Sequence, residues 1–119
     1  MAETRVVRQS VIEILCEHEC CRDIAEEISF GIEEQGLKAR IRCLDKEKEY
    51  SVQAFEAAQR SYGVSVCIVK NEIMIFAEDS GNEEPLFRYG EALGENVAML
   101  RSVGKNAVHV ITRQPFEHV

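Results

Sequence analysis

The hydrophobic and polar positions of the chain fall into two periodicities. Four- to six-residue apolar runs are typical of buried strands. In one segment Leu37, Ala39 and Ile41 alternate with Lys38 and Arg40, which predicts an edge strand with one face in solvent. The predicted strands are 11–16, 37–43, 64–69, 73–76 and 108–111, and the third and fourth form a hairpin over 64–77.

Three further segments have helical spacing. Ile24, Ile28 and Ile32 recur every fourth residue and form a core-facing stripe. Gly36 follows this segment at the position where a helix commonly ends. The predicted helices are 20–35, 51–61 and 91–102.

The resulting order, β-α-β-α-β-β-α-β, indicates an α/β fold. Strands that alternate with helices favour a mostly parallel sheet with helices on both faces, and the hairpin adds one antiparallel strand. We therefore predict a small doubly wound, Rossmann- or flavodoxin-like sheet. The length of 119 residues fits one domain spanning 1–119, and we expect residues 1–8 and 117–119 to fray.

Charge and composition exclude several classes of protein. The net charge of −7 disfavours binding to nucleic acid or to an anionic membrane surface. No apolar run is long enough to span a membrane, and Met1–Arg5 lacks the apolar region of a signal peptide, so we expect cytosolic residence. The five cysteines are then expected to be reduced thiols, with Cys16, Cys43 and Cys67 acting as small hydrophobes in strands.

The sequence offers little catalytic chemistry. Glu17–Cys21, after the first strand, has no glycine, so it is neither a dinucleotide fingerprint nor a phosphate loop. The aspartate and lysine of a phosphorelay receiver and the ligand loop of a cobalamin-binding domain are missing at the expected places. A zinc site of Cys16, His18, Cys20 and Cys21 has poor spacing and a buried first member. His109 and His118 have no matching nucleophile, so we predict no catalytic or cofactor-binding residue and a chain that is not an enzyme by itself.

One surface of the first helix remains. Glutamates at 26, 27, 33 and 34 lie opposite the isoleucine stripe, and Phe30 lies among them. A solvated acidic face explains the glutamates, but an aromatic ring among carboxylates gains from a covering partner. Carboxylates at the end of a helix also oppose its dipole, which a cation would relieve. We predict a docking face at Phe30 and Glu33, with a hard metal ion shared there.

Several short motifs resemble one family. Gly31-Ile32-Glu33-Glu34-Gln35-Gly36 resembles the Gly-Ile-Glu-Glu-Glu-Gly of the small (beta) subunit of diol and glycerol dehydratase-reactivating factors. The similarity covers residues 10–116. It continues through Ala57-Ala58-Gln59-Arg60-Ser61, Pro85-Leu86-Phe87, Gly104-Lys105-Asn106-Ala107 and Pro115-Phe116.

The resemblance implies a non-catalytic subunit of a chaperone-like complex. Its expected partners are a large actin/Hsp70-like ATPase subunit and, transiently, a coenzyme-B12-dependent dehydratase, from which damaged cobalamin leaves by ATP-driven subunit exchange. The resemblance also implies that Glu34 reaches a divalent metal, Mg²⁺, at the interface with the large subunit, while the isolated chain holds no cofactor. Gln35 departs from the family pattern. The client, glycerol or 1,2-propanediol dehydratase, and association with a bacterial microcompartment are left open.

Two other functions remain open. The chain could be a medium-subunit-like fragment of the dehydratase itself, or a stand-alone flavodoxin-like domain that binds a ligand or regulates. Copurification discriminates among the three functions. A reactivase subunit should copurify with a large ATPase subunit and a dehydratase fragment with a catalytic dehydratase subunit, whereas a stand-alone domain should copurify with neither.

Overall fold

The computed structural model of the protein describes residues 11–17, 22–70, 72–90 and 96–113. The expected frayed ends, 1–8 and 117–119, lie outside the described residues. The strands are β1 (Val11–Cys16), β2 (Lys38–Cys43), β3 (Val64–Val69), β4 (Glu72–Ala77) and β5 (Phe87–Tyr89). The helices are α1 (Arg22–Glu34), α2 (Tyr50–Arg60) and α3 (Val97–Thr112), with a short 3-10 turn at Glu78–Ser80.

The strands form one mixed sheet in the order β2-β1-β3-β4-β5. β1 pairs in parallel with β2 and β3, whereas β4 pairs antiparallel with both β3 and β5. Of the five described strands, β4 alone therefore runs against the others, as the predicted hairpin requires. β2 lies at an edge, which confirms the expectation from its alternating pattern.

Both faces of the sheet carry helices. Side chains alternate across a strand, so Ile12 and Ile14 of β1 pack with α1 and α3, while Leu15 packs with α2 on the opposite face. Each large aliphatic side chain buried in this way contributes about 1.5–3 kcal/mol. The stripe of α1 is also confirmed: Ile28 and Ile32 are fully buried, and Ile24 packs at the edge of the core.

The predicted strand at 108–111 is wrong, because α3 continues through this segment to Thr112. The helix begins after Asn96, whose side-chain oxygen accepts a hydrogen bond from the Met99 backbone N–H at 3.1 Å. Val103 and Ala107 are buried at helical spacing, and their packing outweighs the strand propensity of the β-branched residues that follow. The predicted helix start, 91–95, lies outside the described residues.

The strand β5 was not predicted. Leu86 donates its backbone N–H to the Ile75 carbonyl oxygen at 2.7 Å, and Phe87–Tyr89 then pairs with β4. Three residues with an arginine at the centre are too short to show strand alternation. The sheet thus ends in a β3-β4-β5 meander, and the predicted strand order is wrong at its end.

α1 and α3 touch through their backbones at two glycines. A methyl group on Gly31 would overlap the Arg101 carbonyl oxygen, and one on Gly104 would overlap the Ile28 carbonyl oxygen. The two helices can approach this closely because neither position has a side chain. This contact brings the outer surfaces of α1 and α3 into one continuous face.

Two of the three described cysteines are buried as expected, Cys16 and Cys67. Cys43, predicted to act as a small hydrophobe, is instead exposed, because it ends the edge strand β2. Cys20 and Cys21 lie outside the described residues. No helix in the part of the chain that the structure describes has the length and hydrophobicity needed to cross a membrane.

Candidate docking site

The predicted docking face lies where α1 meets α3. Phe30 projects from α1 and is 41% exposed. The guanidinium carbon of Arg101, on α3, lies 5.6 Å from the centre of its ring, in cation–π geometry. Arg101 therefore covers one side of the aromatic ring and leaves part of it open to solvent.

Two cations of α3 pair with the acidic face of α1. Arg101 donates from Nε to Glu27 Oε1 at 3.1 Å, and Lys105 Nζ lies 3.5 Å from Glu34 Oε2. The last turn of α1 contains no basic residue, so Lys105 supplies the positive charge that this helix end favours. Lys105 therefore already supplies part of the positive charge that the sequence led us to expect from an external cation.

Phe30, Glu33, Glu34 and Arg101 line one shallow depression. Glu33 and Glu34 are both exposed, so the structure brings the three predicted residues together at the end of α1. The aromatic ring can pack against an apolar side chain of a partner, and the exposed carboxylates beside it can accept hydrogen bonds from a basic one. We refer to these four residues as the α1–α3 face.

The described residues alone do not form a complete metal site at this face. Carboxylate oxygen suits Mg²⁺, and Glu34 offers one such ligand. The described residues contain no group of three or more histidine, cysteine, aspartate or glutamate side chains placed to hold a metal ion. Among the described residues Glu34 therefore lacks the further protein ligands that a Mg²⁺ site would need, and Lys105 would have to release its contact with Glu34.

A second depression lies at the carboxyl ends of β1, β2 and β3, where open α/β sheets commonly bind small molecules. It encloses about 520 Å³ between Glu17, the loop 44–49, Tyr50 and Val69. Its lining is largely charged loop and contains no glycine. It therefore lacks the glycine-rich turn with which backbone amides approach a phosphate.

The structure also reveals a buried carboxylate that sequence reasoning missed. Glu13 on β1 has no exposed surface and accepts from Arg42 Nη1 at 2.6 Å. Arg60 at the end of α2 donates to both carboxylate oxygens at 3.2 Å, and Ser61 Oγ lies 3.3 Å from Oε2. Burial raises the pKa of Glu13, but the hydrogen bonds and positive charges of Arg60 and Arg42 outweigh it and lower that pKa below its ordinary value.

The other residues considered from the sequence do not assemble into a site. Cys16 is buried with its Sγ 3.6 Å from the Arg42 carbonyl oxygen, while His18 and His118 lie outside the described residues. His109 is buried in α3 rather than in a strand, and its Nδ1 has no hydrogen-bond partner in the described part of the chain. Arg101 and Lys105 were missed as contributors, although their i,i+4 spacing would have placed both on one helix face if α3 had been extended.

A comparison with models of protein families identifies the family of the chain. The model described as the dehydratase medium subunit matches residues 10–117, and the chain belongs to that family. No curated protein sequence matches the chain.

Two solved structures are similar over nearly the whole chain. One is a chain of the diol dehydratase-reactivating factor complexed with ADP and Mg²⁺, with a TM-score of 0.76, 22% identity, and coverage of 92% of this chain and 99% of that one. The other is a chain of glycerol dehydratase reactivase, with a TM-score of 0.74, 20% identity, and coverage of 90% and 96%. At these identities the likeness establishes the shared fold.

Proposed function

We propose that the chain is the small, non-catalytic subunit of a reactivating factor for a coenzyme-B12-dependent diol or glycerol dehydratase. The observation that carries the proposal is the near end-to-end match to chains of two such factors, 99% and 96% of whose lengths are covered. The family match and the ordered motifs between residues 10 and 116 support it independently of the fold.

In this proposal the α1–α3 face binds the large ATPase subunit. Phe30 gives the face an apolar centre, and Glu33 and Glu34 surround it with carboxylates. An exposed aromatic ring bordered by charged groups is typical of an interface hot spot with a polar rim. Glu34 would contribute one oxygen to a Mg²⁺ ion whose remaining ligands come from the partner and from water.

The fold positions this face without a bound partner. Gly31 and Gly104 fix the spacing of the two helices, and Arg101 holds Phe30 in place from α3. A face that is ordered before binding loses less conformational entropy on association. The small subunit would then be able to leave one partner and bind another without refolding, as ATP-driven subunit exchange in the factor requires.

The proposal is tested by purifying the tagged full-length chain from its native cell and identifying its partner by mass and ATP hydrolysis. We expect a large ATPase subunit. The affinity of the purified pair is then measured by calorimetry with and without Mg²⁺. Glu34→Ala should abolish the gain in affinity that Mg²⁺ gives, because the shared carboxylate ligand is lost.

Glu56→Ala is the matched control, because Glu56 is an exposed helical glutamate on α2, on the opposite face of the sheet. It should leave both the affinity and its dependence on Mg²⁺ unchanged. Equal affinity of Glu34→Ala and the unmodified chain, with and without Mg²⁺, would refute the role of Glu34. Recovery of no ATPase subunit would refute the reactivase role.

The second candidate is a medium-subunit-like part of the dehydratase, which the description of the family favours. It predicts that a catalytic dehydratase subunit, rather than an ATPase, copurifies with the chain. It also predicts cobalamin contact, whereas the reactivase subunit should bind no cobalamin alone. Titration of the chain with cobalamin, followed by its visible spectrum, separates the two candidates.

A further inference from the structure

Two cysteines are direct neighbours on adjacent strands of the sheet. Cys16, the last residue of β1, is the register partner of Cys43, the last residue of β2. The strands stay paired up to this point, because the Leu44 backbone N–H donates to the Cys16 carbonyl oxygen at 2.8 Å. Register partners in a parallel pair direct their side chains to the same face of the sheet. The two thiols therefore lie side by side on the face that carries α1.

The thiol of Cys16 points towards β2. Its Sγ lies 3.6 Å from the carbonyl oxygen of Arg42, the residue that precedes Cys43. A thiol is a weak hydrogen-bond donor, so this contact can be given up when the sulfur reacts. Cys67, in contrast, packs with its register partner Leu15 on the opposite face of the sheet. Among the described cysteines, Cys43 is thus the one towards which the Cys16 thiol is directed.

The two thiols differ in their access to solvent. Cys16 is only 2% exposed, whereas Cys43 is exposed. An oxidant in solution therefore reaches Cys43 first, and Cys16 can react only with a sulfur that already lies beside it. An exposed cysteine next to a second thiol that can resolve its oxidised form is typical of redox-sensitive sites.

The spacing of the strands permits a disulfide but not a fully relaxed one. Adjacent strands lie about 4.7–4.9 Å apart, within the range of about 4.4–6.8 Å for the Cα atoms of disulfides. Parallel register partners keep roughly the same spacing at Cβ, whereas the Cβ atoms of a disulfide are about 3.8 Å apart. The end of β2 must therefore move by roughly 1 Å towards β1 for the bond to form. A disulfide formed at such a cost is more easily reduced than a structural one.

We propose that Cys16 and Cys43 form a reversible disulfide, which makes the end of the β1–β2 pair a redox-sensitive modification site. The oxidant is a low-molecular-weight disulfide such as oxidised glutathione. Cys43 Sγ attacks one sulfur of this oxidant, so a mixed disulfide forms and one small thiol leaves with the cysteine proton. Cys16 Sγ then attacks the Cys43 sulfur, and the second small thiol leaves with the other proton. Two protein thiols are oxidised, and one small disulfide is reduced to two thiols.

The disulfide ties the outer strand β2 to the central strand β1. It closes a loop that begins at Cys16, contains α1 and ends at Cys43, so it lowers the conformational entropy of the unfolded chain. β2 is then held by a covalent bond as well as by backbone hydrogen bonds, and reduction releases it. The inference does not depend on the proposed reactivase role.

The test uses the full-length chain at neutral pH without denaturant. The reduced protein is incubated with oxidised glutathione, remaining thiols are blocked with N-ethylmaleimide, and unreduced tryptic peptides are mapped by mass. Trypsin leaves Cys16, Cys20 and Cys21 on one peptide, so the pairing is assigned in Cys20→Ser/Cys21→Ser. Fragmentation of the linked peptides from the unmodified chain gives a second assignment. We expect peptide 9–22 to be linked to peptide 43–46, and dithiothreitol to release the link.

Two variants in the Cys20→Ser/Cys21→Ser background show which thiols are needed. Cys43→Ser removes the exposed member of the pair and should yield no linked peptide. Cys67→Ala is the matched control, because it removes a buried thiol on the opposite face of the sheet and should retain the link. Oxidation should raise the midpoint of thermal unfolding of the background chain by about 3–10 °C and leave that of Cys43→Ser unchanged.

Any of three results overturns the proposal. One is a link between Cys16 and Cys43 that forms only after urea has unfolded the chain. Another is a stable glutathione adduct on Cys43 while Cys16 remains a thiol, which would mean that Cys16 cannot reach its neighbour. The last is a linked chain whose unfolding midpoint is unchanged or lower, which would mean that the bond forms only by disrupting the sheet.

Discussion

Lys105 on α3 pairs with Glu34 on α1, with 3.5 Å between Nζ and Oε2. Both residues belong to motifs that resemble the reactivating factors, and the pair joins them across the helix contact. The lysine occupies the same carboxylate that we propose as a metal ligand. Metal binding and this ion pair are therefore expected to compete.

Replacing Lys105 should ease Mg²⁺ binding at the proposed interface. In Lys105→Met the carboxylate of Glu34 no longer shares its charge with an ammonium group. The Mg²⁺ concentration for half-maximal association with the large subunit should fall about two- to fivefold, the range expected for an exposed ion pair. Arg22→Met is the control, because Arg22 forms a similar ion pair with Glu26 at the start of α1. It should leave this Mg²⁺ concentration unchanged. An unaltered Mg²⁺ requirement in Lys105→Met would contradict the competition.

Gly31→Ala should destabilise the fold despite the better helix propensity of alanine. The added methyl group meets the Arg101 carbonyl oxygen, so α1 and α3 must separate. We expect the free energy of unfolding to fall by about 1–3 kcal/mol, as for other overpacked sites, measured by urea titration. Gly90→Ala, where a methyl group would meet no atom within 4 Å, is the matched control. Equal stability of the two variants would show that the helix contact can relax without cost.

Removing the charge of Glu13 should also weaken the fold. Glu13→Gln leaves Arg42 and Arg60 without their shared anion, and we expect a loss of about 1–3 kcal/mol at neutral pH. The loss stays below that of a fully buried pair because both arginine side chains retain about 40% of their surface in water and can be hydrated. Glu56→Gln, at an exposed position on α2, should change little.

The same group gives a defined dependence of stability on pH. The pKa of Glu13 is lowered in the fold, so its contribution is complete above the ordinary glutamate pKa of 4.5 and is lost as the pH falls through the lower folded value. The difference in unfolding free energy between the unmodified chain and Glu13→Gln should therefore shrink as the pH falls below 4.5. A difference that stays constant down to the acid transition would argue against a charged Glu13 in the fold.

The described cysteines should differ in reactivity. Burial, with the nearby Cys16 and Glu17, raises the pKa of the Cys67 thiol to about 12, so it holds almost no thiolate at neutral pH. Cys43 is exposed at the end of β2. A maleimide should modify Cys43 within minutes and leave Cys16 and Cys67 unmodified until the protein unfolds, as read by peptide mass mapping. Early labelling of Cys67 would indicate local opening of β3.

The spacing of apolar residues correctly predicted those helices and strands in which buried positions recur at a regular interval. The isoleucines of α1 and the alternation in β2 each mark one face, so these elements were placed within a few residues of their observed ends. Val108–Ile111 carries no such mark, because three apolar residues and one histidine fit a buried helix as well as a short strand. Packing against α1 and the sheet determines that this segment is helical, and the local sequence does not indicate that packing.

The same distinction separates the predicted and the missed site residues. Phe30, Glu33 and Glu34 lie on one helix, so helical geometry alone brought them together. Arg101 and Glu27 pair although they are 74 positions apart in the sequence. Glu13 pairs with Arg42 and Arg60, which follow it by 29 and 47 positions. A lone glutamate in an apolar strand indicates that some cation must lie nearby, but not which one. Such pairings depend on the strand order and on how the helices pack, which the sequence alone predicted incompletely.

The backbone contact at Gly31 and Gly104 has a mechanical consequence. At these two positions no side chain separates the backbones, so this part of the helix contact has little room to deform. A displacement of the end of α1, where Glu34 lies, would therefore be transmitted to α3 as far as the turns that follow Gly104. Detachment of a partner there would shift both helices together, as one stiff body against the sheet.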